Sequence, residues 1–155
     1  MKKIPMFLLM IAPYAFVKIF FDWGPSAALL LTYPSVLLLN MVYPYILSKL
    51  NFSGRKLLFW DMFLKLWNIP LYLWAFLFVL FGMVLAIPAI PFLFLLDYTL
   101  LLATSQYGIS GILKLHRGGQ FTKKAAALNI LLHFLFCFDV FSAIYCYVKA
   151  RKQGA

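Results

Sequence analysis

The stretch LLHFLFCFDVFSAIYCYV, residues 131–148, is almost wholly apolar, yet it contains two side chains that can ionise, His133 and Asp139. An ionised group among phenylalanines and leucines costs free energy unless it is paired or neutralised. The rest of the chain has the same character, since 65% of its 155 residues are apolar and 12% are charged. Soluble domains average about 45–50% apolar and about 25% charged residues. The composition therefore predicts an all-α integral membrane protein.

Five apolar runs are separated by short polar or proline-containing segments. Each has about the 20 residues that a helix needs to cross a hydrocarbon core of about 30 Å. Backbone amides have no water to bind inside a bilayer, so each run should be helical. We expect a single domain, a compact bundle of five transmembrane helices, with spans at residues 4–21, 26–47, 70–87, 92–113 and 125–148.

Between the second and third runs lies the segment RKLLFWDMFLKLW at residues 55–67. Asp61 and Lys65 are one helical turn apart, so they share a face and can pair. A helix that ran from residue 57 through residue 87 would be about 46 Å long, which is too long for one upright crossing. The pattern predicts a short amphipathic helix in the membrane interface that bends near residues 68–70 into the third span.

The chain carries fourteen Lys and Arg residues against four acids, all of them Asp. The basic residues cluster between apolar runs, which is typical of loops held at an anionic cytoplasmic leaflet and not of a nucleic-acid-binding face. The expected partners are therefore the lipid bilayer and anionic headgroups. The expected location is a bacterial cytoplasmic membrane with the N-terminus in the cytoplasm. Five crossings leave the basic residues 149–152 outside, so four crossings plus one re-entrant or surface helix is the alternative.

Two acids and one base fall inside the predicted spans. Five crossings place Asp97, Asp139 and Lys18 in the outer half of the bilayer, where an unpaired charge costs several kcal/mol. We therefore expect Asp97 or Asp139 to bond Lys18, a hydroxyl such as that of Tyr14 or Tyr33, or an internal water. These groups are the first candidates for binding a proton, a cation or a small solute.

Other polar side chains extend this candidate site. Thr104 almost eclipses Asp97 on the fourth helix, which suggests a polar stripe facing other helices. Asn40, Gln106 and His133 should lie at comparable depths toward the cytoplasmic side. They predict either hydrogen bonds that join helices or the lining of a water-filled vestibule.

His133 and Cys137 are four residues apart, a spacing that can present two ligands for a soft metal on one helical face. Two ligands do not make a metal site, and the only other cysteine, Cys146, lies farther along the same run. A histidine hydrogen-bonded within the core is the simpler interpretation. No metal and no cofactor is predicted.

The sequence contains no Walker A motif, no G-x-S-x-G and no H-E-x-x-H, and no catalytic role is predicted. One hypothesis is a small channel or transporter component that moves a proton, a cation or a small solute by means of Asp97 and Asp139. The alternative is a non-catalytic accessory or immunity-type membrane subunit that acts through helix–helix contacts with a partner. Either could form a homo-oligomer or join a larger membrane complex.

Overall fold

The computed structural model describes residues 4–23, 27–50, 52–82, 89–135 and 138–152, and within these ranges the chain forms six α-helices. They are α1 (Ile4–Trp23), α2 (Ala27–Lys49), α3 (Gly54–Gly82), α4 (Ala89–Arg117), α5 (Lys123–Leu132) and α6 (Phe138–Lys152). The helical class is as predicted, and α1, α2 and α4 begin and end within a few residues of three of the apolar runs.

The membrane prediction is wrong. Within the described ranges, none of the helices combines the length and the apolar character that a membrane crossing requires. This finding overturns the bundle of five transmembrane helices, its four-crossing alternative and the assignment to a bacterial cytoplasmic membrane with a cytoplasmic N-terminus. It also conflicts with a multi-pass transport protein. The prediction took each apolar run as one span, whereas in the structure the third run begins inside the longer helix α3 and the fifth run is divided between α5 and α6.

The third helix shows one such difference. No break separates the two predicted helices near residues 68–70, because α3 is a single helix from Gly54 to Gly82 with Pro70 inside it. Proline lacks the amide that would bond the carbonyl four residues earlier, but it does not end the helix here. The predicted interfacial helix at residues 55–67 is therefore the first half of α3. Its polar residues Asp61 and Lys65 are fully buried, not exposed at an interface.

The last apolar run, predicted as one span over residues 125–148, forms two helices. The first of them, α5, ends at Leu132, and a turn at His133 and Phe134 follows. The hydroxyl of Ser142 in α6 donates to Asn129 Oδ1 in α5 over 3.0 Å. Thirteen residues of straight helix would separate these side chains by about 20 Å. The chain therefore folds back on itself, and α5 and α6 form a helical hairpin.

The helices α3 and α4 run antiparallel and form the centre of the bundle. They approach closely at Gly54 and Gly111, where an added side chain on either residue would meet the other helix. Three hydrogen bonds join α2 to α4 in parallel register: from the Tyr107 hydroxyl to Asn40 Oδ1 (2.6 Å), from Ser110 to the Pro44 carbonyl (3.0 Å) and from Lys114 Nζ to the Ser48 carbonyl (2.7 Å).

The first helix packs along α3 in the same direction. The Tyr14 hydroxyl donates to the Trp67 carbonyl over 2.7 Å, and the Trp67 indole donates to the Met10 carbonyl over 3.3 Å. Near the start of both helices, the rings of Phe7 and Trp60 meet edge to face with centroids 5.6 Å apart. The largest buried apolar cluster lies between α1, α2, α3 and α4, with the fully buried side chains Leu9, Leu47, Leu64, Leu100 and Tyr107 among its members.

These directions bring the starts of α1, α3 and α5 to the same end of the bundle as the ends of α2, α4 and α6. Ten basic residues lie there, and we call this region the basic end: Lys49, Arg55, Lys56, Lys114, Arg117, Lys123, Lys124, Lys149, Arg151 and Lys152. Along the sides of the bundle, many large apolar side chains are exposed, including Leu31, Leu38, Ile11, Leu131 and Phe141.

The close approach of α3 and α4 generates a prediction about Gly111. A Cβ at this position would lie 2.9 Å from Leu58 Cδ2 and 3.1 Å from the backbone oxygen of Gly54, which cannot rotate away. We expect Gly111→Ala to lower the free energy of unfolding by about 1–3 kcal/mol, as overpacking generally does. Denaturant unfolding of the purified protein measures the loss.

The matched control is Gly118→Ala, where a Cβ would be at ordinary contact distance, 3.5 Å or more from its neighbours. Equal unfolding midpoints for the two variants would contradict the inferred close approach of α3 and α4.

Candidate functional site

Four ionisable side chains meet in the interior between α3, α4 and the α5–α6 hairpin. We call Asp61, Lys65, His133 and Asp139 the buried quartet. Lys65 Nζ lies 3.1 Å from Asp61 Oδ1 and 3.6 Å from Asp139 Oδ2, and His133 Nε2 lies 3.0 Å from Asp61 Oδ2. The side chains of Asp61, Lys65 and His133 are fully buried, and that of Asp139 is 3% exposed. A cluster of charges so far from solvent requires mutual pairing.

Local helix geometry places each member. Asp61 and Lys65 are one turn apart on α3, so both project from the same face. His133 follows the last turn of α5, and its backbone amide bonds the carbonyls of Asn129 and Ile130. Asp139 lies in the first turn of α6, where the amide groups of the helix N-terminus favour a negative charge.

The hydrogen bonds of His133 determine how many protons the quartet holds. Its Nδ1 lies 2.8 Å from the carbonyl oxygen of Asn129, which can only accept, so Nδ1 carries a hydrogen. Its Nε2 faces a carboxylate oxygen of Asp61, and that contact is a hydrogen bond only if a second proton lies between them. With that proton, two carboxylates balance one ammonium and one imidazolium, and the formal charge of the quartet is zero.

The pKa of Asp139 responds to burial and to the other charges of the quartet. Burial raises the pKa of Asp139, and the nearby Asp61 carboxylate raises it further. The Lys65 ammonium, the backbone amide of Val140 and His133 act in the opposite direction. Desolvation is the largest cause, so the carboxylate of Asp139 depends on Lys65 to remain charged inside the bundle.

The absence of a side chain at Gly108 of α4 makes room for the quartet. A Cβ at this position would overlap His133 Nε2 and would lie 2.5 Å from Asp61 Oδ2. One turn earlier, the Ser105 hydroxyl donates to the backbone oxygen of His133 over 2.8 Å. In α4, the Ser105 hydroxyl therefore holds the backbone of His133, and Gly108 leaves the space that the His133 ring fills.

The structure brings together two of the predicted site residues, His133 and Asp139, and disperses the others. Lys18 is exposed on α1, and the cation beside Asp139 is Lys65 instead. The remaining polar residues bond locally or to a neighbouring helix: Asn40 accepts from Tyr107, Gln106 accepts from Tyr45 over 2.7 Å, and Thr104 bonds the carbonyls of Leu100 and Leu101.

Asp97 lies apart from the quartet. Its Oδ1 is buried without a hydrogen-bond partner among the described residues, and burial raises its pKa to about 7. Burial raises the pKa of Tyr33, and Asp97 adds to this effect. Burial also raises the pKa of Tyr72, with smaller contributions from Asp139 and Asp97. Tyr72 therefore lies within electrostatic reach of both acids.

Sequence reasoning missed Asp61, Lys65 and Gly108 as site residues. The sequence pattern places Asp61 and Lys65 on the polar side of an amphipathic helix in a membrane interface, so they are not among the predicted site residues. The signal that could have identified them is Asn68, which continues the same polar face and is also fully buried, with its amide donating to the Leu64 carbonyl. A polar face of this length can point inward as well as outward.

Metal binding finds no support within the described ranges, where no three His, Cys, Asp or Glu residues are arranged to hold an ion. Cys137, the partner suggested for His133, lies outside the described residues. The His133 ring is occupied on both nitrogens, by Asn129 and by Asp61.

Comparison with known proteins gives one match. A family model described as a family of unknown function (DUF6652) matches residues 50–152, which include α3 to α6 and all four members of the quartet. No curated protein and no solved structure matches the chain. The predicted channel and accessory roles are not tested by these comparisons.

The charge balance of the quartet predicts the effect of Lys65→Met. Removing the ammonium leaves a net negative charge buried, so the free energy of unfolding should fall by about 3–5 kcal/mol. Lys65→Met combined with Asp139→Asn removes one acid as well and keeps the contact between Asp61 and His133, so it should be less destabilised than Lys65→Met alone. Denaturant unfolding of the two variants and the wild type provides the measurement.

An exposed lysine supplies the control, since Lys123→Met should change stability by less than about 0.5 kcal/mol. If the double variant were as unstable as the sum of its two single variants, the charges would not be coupled.

Asp97 yields a prediction about pH. Its pKa is about 7 in the folded protein against an ordinary value of 3.8, so the folded state holds a proton that the unfolded state releases. The stability contributed by this proton is complete below pH 3.8 and is lost as the pH rises through 7. Asn cannot lose a proton, so the free energy of unfolding of Asp97→Asn minus that of the wild type should increase as the pH rises from about 4 to 7. Unfolding midpoints across this range test it, and a constant difference between the two proteins would contradict it.

Proposed function

The chain belongs to the DUF6652 family, and from its geometry we propose that it is a non-catalytic accessory module that associates with anionic lipid. The observation that carries the proposal is that basic and apolar side chains occupy different parts of the surface. The basic residues lie at one end of the bundle, and large apolar side chains are exposed along the helices that lead to it. Contact with lipid is proposed and a crossing is not.

The basic end supplies the electrostatic part. Each Lys or Arg near an anionic bilayer surface contributes about 1 kcal/mol to binding. Arg117, Lys123, Lys124, Arg151 and Lys152 are all exposed there, at the ends of α4 and α6 and at the start of α5. The formal net charge of the whole chain is +10, so long-range attraction acts in the same direction.

The α5–α6 hairpin supplies an apolar face that runs along α6 toward that end. Phe138, Phe141, Tyr145 and Val148 recur at intervals of three and four residues on α6 and are 58%, 70%, 52% and 43% exposed. The opposite face of α6 buries Asp139, Ser142 and Cys146 instead. This helix therefore turns its polar side inward and its apolar side outward, the arrangement expected of a surface that is covered by an apolar partner.

The quartet has a supporting role in this proposal. Its members are too deeply buried to touch a ligand, but they join α3 to both helices of the hairpin. Charge pairing at the centre therefore holds the apolar face of α6 in place beside the basic end. No reaction is assigned to the module.

Vesicle binding tests the proposal. In a flotation assay, the purified protein should bind vesicles that contain phosphatidylglycerol. Binding should be weaker to vesicles of neutral phosphatidylcholine, and binding to the anionic vesicles should be weaker at high salt. Lys123→Gln combined with Lys124→Gln removes about 2 kcal/mol of attraction, so the apparent affinity should fall about 10- to 30-fold.

Lys18→Gln is the control for charge, because Lys18 is exposed on α1 away from the basic end. It should change the affinity less than twofold. Phe138→Gln combined with Phe141→Gln should weaken binding to both kinds of vesicle. Absence of binding to anionic vesicles, or equal binding to both kinds by the wild type, would overturn the proposal.

A further inference from the structure

A cavity of about 310 Å³ opens at the basic end, where the start of α3 meets the last turns of α6. Its walls are formed by two cationic and four aromatic side chains: Arg55, Lys56, Phe52, Phe59, Trp60 and Tyr147. We propose that this cavity binds the phosphate group of an anionic amphiphile together with the first part of its apolar chain. The inference rests on the proposed association with lipid and specifies a site within it.

The cationic side of the cavity suits a phosphate. Arg55 and Lys56 are consecutive residues in the first turn of α3, and arginine presents a planar fork of donors that matches phosphate oxygens. The helix begins here, with the Leu57 amide bonding the Ser53 carbonyl, so the positive end of the helix dipole adds to the potential. Among the described residues that line the cavity, none is acidic.

The aromatic side of the cavity suits an apolar chain. The Phe59 ring lies between those of Tyr147 and Trp60, at centroid distances of 5.7 and 6.0 Å. Trp60 is only 7% exposed, and its other side meets Phe7 of α1, so the wall is braced by neighbouring helices. Phe59 is 38% exposed and is available to a ligand.

The size of the cavity limits the ligand. Small-molecule sites have volumes of about 300–1,000 Å³, and this one is at the lower limit. It can hold a phosphate and a short length of one chain, while the remainder extends along the exposed apolar surface. An anion without an apolar part would leave the aromatic wall uncovered and should bind more weakly.

A soluble ligand separates binding in the cavity from binding to a charged surface. The probe is a short-chain phosphatidic acid, used as a monomer below its micelle concentration and brominated on its acyl chains. It should quench the tryptophan fluorescence in a saturable manner. Trp60→Phe should remove most of that quenching but retain binding by calorimetry, which would place the acyl chain beside Trp60.

Two variants of equal charge provide the matched comparison. Arg55→Gln combined with Lys56→Gln should weaken monomer binding at least tenfold, and Lys123→Gln combined with Lys124→Gln should weaken it less than twofold. Equal losses in the two variants, or quenching that does not saturate, would overturn the cavity as the site. Vesicle binding by the wild type would then still stand, so the two proposals fail separately.

Competition distinguishes the sources of the phosphate. Inorganic phosphate should displace the probe only at much higher concentration than an unbrominated short-chain phosphatidic acid, which supports the amphiphile. Displacement at equal concentrations would overturn the requirement for an apolar chain. Displacement by short-chain phosphatidylcholine as effective as that by phosphatidic acid would overturn the selection for negative charge.

Discussion

The contact on which the rest of the structure depends is the 3.1 Å approach of the Lys65 ammonium to Asp61, with His133 on the other carboxylate oxygen and Asp139 beside the same lysine. Each of these groups alone would be costly to desolvate. Together they approach neutrality once a proton is shared between His133 and Asp61. Three separate parts of the chain must meet for this balance, so the quartet couples α3 to both helices of the hairpin.

The close approach of helices is what lets such short side chains meet. Gly108 leaves the space that the His133 ring occupies, and Gly54 and Gly111 let α3 and α4 come together nearer the basic end. The family match at residues 50–152 coincides with the four helices that build the quartet. The helices α1 and α2 precede this match and add a second layer, which joins α4 through Asn40 and Tyr107 and α3 through Tyr14 and Trp67.

Because the polar groups are turned inward, the surface is left to apolar and basic residues. The apolar face of α6 points away from the buried quartet, and the helix directions collect lysines and arginines at one end. The cavity between Arg55 and Tyr147 lies where these two surfaces meet. A ligand that is anionic at one end and apolar along its length would satisfy both, which is why the lipid proposal and the cavity proposal concern the same region.

The sequence by itself determined the helical class, the approximate bounds of α1, α2 and α4, and the clustering of basic residues, because hydropathy and helix-breaking residues act over a few neighbouring positions. It also singled out His133 and Asp139, since ionisable groups in an apolar run are recognisable without a fold. Only the tertiary structure decided that Asp61 and Lys65 face inward, that α3 continues through Pro70, and that the last run breaks after Leu132. Hydropathy also suggested five membrane spans, and the helices as formed do not bear this out. The inward direction of Asp61 and Lys65 and the break after Leu132 depend on contacts between residues some 70 positions apart, such as Asp61 with His133 and Lys65 with Asp139. No local pattern encodes which distant charge will complete a pair.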